Sequence, residues 1–197
     1  VAPTREEAFA WVEERREGIE AIRDAASRPI MGYRFSARPD PELRVAHGDE
    51  PAETEAVAPD DPVNPVVIDV LLPYLGEVKR MTRMLWVDAH AAMAAGDAER
   101  FEKNVMAMFG IADQCRAGAF LIVDMVSLSI AELAMQTMRE SLVEAPGLVD
   151  EAGWRRLAHR MGSFPRDGEP VMRLTGERMF FDDFLQRFYT DDGEGGG

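Results

Sequence analysis

Two groups of residues in this chain are of types that do chemistry. The first closes the sequence, where Asp192-Gly-Glu-Gly-Gly-Gly197 follows an aromatic at Phe188. An EF-hand calcium loop takes oxygen ligands at its first, third and fifth positions and needs a glycine at the sixth, where the backbone bends sharply. Asp192 fits the first position, Glu194 the third and Gly197 the sixth, but Gly196 brings no oxygen to the fifth. The first reading of residues 191–197 is a Gly-rich tail that caps the last helix, with no cofactor; calcium is the alternative. The second group is Asp124 and Glu132, which interrupt the most apolar stretch of the chain, together with His90. A carboxylate buried on such a helix needs a partner, with Arg116, Arg139 or an arginine from another helix as candidates. The chemical alternative is a general acid or base with a raised pKa.

Other chemistries lack their residues. Ser127, Ser129, Ser141 and Ser163 have no G-x-S-x-G setting, and neither a P-loop nor a dinucleotide fingerprint is present. His47, His90 and His159 fall in no H-E-x-x-H pair. Asp88 and His90 are two apart on a helix and therefore diverge. The single cysteine, Cys115, excludes an internal disulfide and a Cys-based zinc cluster. A formal net charge of -14 argues against a nucleic-acid backbone or an anionic membrane as partner. Val1 and Gly197 read as cut points in a longer chain. The compartment is left open: cytoplasmic, or extracytoplasmic if a targeting segment precedes Val1.

The elements that must position these residues are helical throughout. Residues 1–28 predict an N-terminal helix, capped at Thr4 and carrying Phe9, Val12, Ile19 and Ile22 on one stripe. Residues 29–64 hold Pro39, Pro41, Pro51, Pro59 and Pro62 among acids and predict an irregular connector. Residues 65–190 predict a helical core. In it a stripe from Ile68 to Leu85 continues to a Gly96-Asp97 break, and a second helix carries Phe101, Val105, Met108 and Cys115. The apolar segment 119–144 follows, expected to be the most buried helix. Its uninterrupted apolar run is shorter than a bilayer span requires. The last helix is expected to turn Phe180, Phe181, Phe184, Leu185 and Phe188 to one side. The fold class is all-α: helical hairpins packed as a bundle or short array, with a long Pro-rich connector.

The stretch L-W-V-D-A-H-A-A-M-A-A-G-D-A-E-R-F-E-K-N-V, Leu85 to Val105, resembles a tetratricopeptide-type hairpin, with Phe101 where that repeat usually has a small Ala. One repeat length beyond Gly96 falls on Ile130, inside the apolar segment, so the repeat does not continue in register. The order L-L-P-Y-L, A-A-G-D, apolar helix and G-E-R-M-F-F-D-D-F-L-Q-R-F-Y is similar to a group of bacterial helical proteins with no assigned activity. That resemblance transfers no catalytic residue. The functional expectation is a non-catalytic interaction or scaffold module with a protein or peptide partner. One alternative is a hydrolase or metal-dependent enzyme using Asp124, Glu132 or His90 between helices. Another is a calcium-modulated module built on Asp192 and Glu194.

Overall fold

The computed structural model of the chain describes residues 4–29, 74–116, 120–165 and 172–188. These form α1 (Arg5–Glu13), α2 (Arg16–Ser27), α3 (Tyr74–Ala95), α4 (Ala98–Cys115), α5 (Leu121–Glu144), α6 (Glu151–Gly162) and α7 (Thr175–Phe188), with no strand among the described residues. The all-α expectation holds. Val1–Met31 and Leu72–Arg178 make one compact unit, and Gly32–Leu71 with Met179–Gly197 make a second. The first unit holds α1 to α6 and the opening turn of α7. The expected connector and the calcium-loop residues Asp192 and Glu194 lie outside the described residues.

Thr4 caps α1 as its sequence suggests. Its hydroxyl accepts the Glu7 N–H at 3.2 Å and its own N–H donates to Glu7 Oε2 at 2.7 Å, a reciprocal capping box. The single helix expected over residues 1–28 is instead broken at Glu14 and Arg15. Arg15 supplies the reason. Its guanidinium stacks 4.2 Å from the Trp11 ring centroid and donates to the Trp11 carbonyl oxygen at 3.2 Å. The Arg15 N–H, which an unbroken helix would aim at that carbonyl, bonds Val12 instead. Val12 and Ile19, on either side of the break, are both fully buried.

A two-residue turn joins α3 and α4 into an antiparallel hairpin. Gly96 holds φ at 70°, a left-handed conformation that glycine adopts without a Cβ penalty. Asp97 then caps α4 by accepting the Arg100 N–H at 3.0 Å. The apolar stripe of α3, including Val78, Leu85, Ala89 and Ala92, turns inward against Phe101, Val105 and Met108. Burial of each larger side chain is worth roughly 1.5–3 kcal/mol.

The most buried helix is α4, which corrects the expectation for 119–144. It buries 11 of its 18 residues and packs against α2, α3, α5 and α6. By contrast α5 buries 10 of 24 and leaves Ile122, Met125, Leu142 and Val143 exposed. Small residues let the neighbours of α4 approach closely. A Cβ added at Gly110 would lie 2.2 Å from the Ala26 carbonyl oxygen, so α2 rests on the α4 backbone itself. Gln114 Nε2 donates to the carbonyls of Ala25 and Arg28, both at 2.7 Å, and so satisfies the carboxyl end of α2. Ser127 Oγ donates to the Ala112 carbonyl at 2.7 Å and ties α5 to α4.

By length and composition alone α5 is a candidate for crossing a bilayer, although Asp124 and Glu132 interrupt its apolar run as expected; half of its most apolar window is buried. It has the form of a core helix with one open face. At its start Phe120 offers no capping oxygen, and Glu177 of α7 takes that place, accepting the Leu121 N–H at 2.5 Å. The expected apolar side of α7 leaves Phe181 and Leu185 exposed.

Candidate functional site

Three buried arginine–carboxylate clamps hold the helices around α4. The largest centres on Asp88 of α3, which is 1% exposed. Arg23 of α2 donates to Asp88 Oδ2 at 2.5 Å, and Arg100 of α4 donates to both carboxylate oxygens, through Nε at 3.1 Å to each. Asn104 Nδ2 adds a bond at 2.7 Å, while its Oδ1 accepts from Arg23 Nε at 2.9 Å. Outer acids complete the network, Glu20 on Arg23 and Glu13 on Arg100. Four helices meet in one hydrogen-bonded cluster, and its principal bond, to Asp88, raises the Arg100 pKa.

Asp124, fully buried, anchors the second clamp. The Arg173 backbone N–H reaches its Oδ2 at 2.8 Å, the Arg173 guanidinium its Oδ1 at 2.7 Å, and Arg116 lies at 3.6 Å. Arg116 is one of the partners expected from sequence; Arg173, an arginine from elsewhere in the chain, lies just ahead of α7 rather than on a helix. Arg139 is directed elsewhere, with its Nε 3.5 Å from the Met135 carbonyl. In the third clamp buried Arg160 of α6 donates to Asp113 and, at 2.8 Å, to the Phe109 carbonyl.

The sequence-derived candidates do not converge. Glu132 is exposed, which corrects the expectation that it is buried and paired. His90 sits with Nδ1 2.9 Å from the Trp86 carbonyl oxygen and Nε2 3.0 Å from Glu140 Oε2, bridging α3 to α5. Asp124 and Glu140 are 16 residues apart on one helix, about 24 Å along its axis. His90 and Asp124 therefore belong to different ends of the bundle. Among the described residues no group of three or more His, Cys, Asp or Glu is placed to hold a metal ion. Burial pushes the Cys115 thiol up to about 12, which keeps it protonated and poorly nucleophilic.

Sequence reasoning missed Asp88. A usable signal existed: Asp88 follows Leu85 by three residues and so lies beside the apolar stripe, where a charge demands a partner. Comparing it only with His90 concealed that.

The most site-like feature is a groove of about 690 Å³ between α2, α4 and α6. Ala26, Met106 and Ala107 form its floor. Glu20 and Asp24 stand on the α2 side, Arg156 on the α6 side, and Glu99, Glu102 and Lys103 along α4. Arg23 and Arg160 also line it, but both are turned inward to Asp88 and Asp113. Arg156 grips Glu102 through two bonds of 2.5 and 2.7 Å, and Lys103 meets Glu99 at 2.7 Å. These outer pairs raise the pKa of Arg156 and Lys103. A smaller hollow of about 160 Å³ over the Asp88 cluster shares Glu20, Arg23, Glu99 and Lys103 with the groove. Such an arrangement offers apolar surface edged by exchangeable charges, which suits recognition of a segment. Comparison with protein-family profiles, with curated proteins and with solved structures found no match.

Proposed function

We propose that this chain is a non-catalytic helical interaction module that holds a protein or peptide segment in the groove between α2, α4 and α6. The observation that supports the reading is a groove with an apolar floor whose inward-facing arginines, Arg23 and Arg160, are already engaged by buried carboxylates. Charges committed to clamps hold helices; they are poorly placed to move protons. The tetratricopeptide-type resemblance of the α3–α4 hairpin supports this reading.

A photo-crosslinking amino acid at position 106, in the full chain inside the cells that make it, tests this. The expected result is one discrete adduct whose partner, once purified, binds the chain and loses that binding in Met106→Arg. Equal, diffuse adducts from positions 106 and 143 would remove the groove from consideration. A turnover lost in folded Asp88→Asn or Asp124→Asn would replace the reading with an enzymatic one.

A further inference from the structure

The groove has a polarity that narrows what fills it, an inference that rests on the interaction reading above. Four helices already surround α4, and Glu99, Lys103 and Met106, at helical spacing, mark the strip they leave open. From Glu99 to Ala107 that strip runs about 12 Å, and α2 alongside is about 18 Å long. These dimensions fit a guest helix of about three turns, laid on α4 as its own neighbours are. With Arg23 and Arg160 counted against Asp88 and Asp113, the buried carboxylates they face, the charges left at the groove are Glu20, Asp24, Glu99 and Glu102 against Lys103 and Arg156. The excess is acidic by two, and on the α2 wall Glu20, paired with Arg23, and Asp24, paired with Arg28 at 3.0 Å, keep side chains 57% and 70% exposed. Arg156, opposite, is 56% exposed and bound to Glu102. The whole chain carries the same sign, -14, which steers a basic segment toward it.

We propose that the occupant is a basic amphipathic helical segment of another protein, with small or aliphatic residues on Met106, Ala107 and Ala26 and with Lys or Arg along the edge facing α2. Binding orders a segment too short to be a stable helix alone, and the preformed groove sets its register.

The test uses the full chain and a synthetic peptide of about 18 residues, with Leu and Ala at i, i+3, i+4 and i+7 and lysines along one edge, read by fluorescence anisotropy and circular dichroism. A second peptide replaces each Lys by Glu. The lysine peptide is expected to bind and gain helicity, and the glutamate peptide to do neither. Because any basic peptide is drawn to an acidic protein, location is decided by two charge-matched variants. Glu20→Lys with Asp24→Lys is expected to weaken binding about tenfold, and Glu132→Lys with Glu144→Lys, remote from the groove, to change it far less. Equal losses would overturn the assignment, since they would report overall charge only. Self-association of the chain that Met106→Arg abolishes would also overturn it, by giving the groove to a second copy. If position 106 crosslinks a partner but the two variants lose binding equally, the interaction reading survives and the basic-helix inference falls.

Discussion

Removal of the Asp88 carboxylate is the perturbation most closely tied to the way these helices are held. Arg23 and Arg100 have side chains only 10% and 11% exposed, and Asp88 satisfies both. Asp88→Ala leaves two guanidiniums largely out of water, with Glu20 and Glu13 as their remaining carboxylates, and leaves Asn104 Nδ2 without its acceptor. Breaking a buried pair by removing one partner costs about 3–5 kcal/mol. With a urea dependence of about 2 kcal/mol per molar, the unfolding midpoint should fall by about 2 M. The assay is urea denaturation followed by far-UV circular dichroism on the full chain. Asp88→Leu combined with Arg23→Met and Arg100→Met should recover most of the loss, because the desolvation cost of the charges disappears with the charges. A loss below about 1 kcal/mol in Asp88→Ala would refute the reasoning, because the arginines would then be finding water or other partners without difficulty.

Other outcomes follow from individual residues. Gly110→Ala must push α2 off α4, and thermal denaturation should register a loss of about 1–3 kcal/mol, typical of overpacking; no change would mean that the helices slide apart freely. Asp124→Asn should destabilise strongly while Glu132→Gln changes stability by less than about 0.5 kcal/mol, since only Asp124 is buried. Cys115 should react with thiol reagents only when the bundle unfolds. Its folded pKa, raised from 9.0 to about 12, contributes stability that is complete below pH 9.0 and is lost as pH climbs toward 12. Glu7 shows the opposite sign: hydrogen bonds from the Thr4 backbone and hydroxyl lower its pKa from 4.5, so the α1 cap is stabilised above 4.5 and frays as pH falls below it, which amide exchange at Glu7 would follow.

Local features were legible in the sequence because their causes are local. Thr4 with Glu7, and Gly96 with Asp97, announce helix ends through side chains that act within three or four residues. Arg116 could be named for Asp124 because it lies just ahead of the same apolar segment. Arg173 could not, since it lies 49 residues further on, beyond α6. The Asp88 cluster draws on α1, α2, α3 and α4, and hydrophobic periodicity says nothing about which arginine crosses between helices. The primacy of α4 was hidden for a related reason. Apolar content favoured 119–144, but burial is set by the number of neighbours, and Gly110 and Ala112 earn close neighbours by being small. The groove belongs to three segments distant in sequence, so no single window contains it.

Amide hydrogen exchange on the full chain, with and without the partner that crosslinks at position 106, tests the central claim most directly. The account predicts that α4 amides exchange slowest in the free chain, through global unfolding. It further predicts that the partner adds protection on the groove-facing turns of α2, α4 and α6, around Asp24, Met106 and Arg156. Added protection confined to the exposed face of α5, around Met125 and Val143, would contradict it.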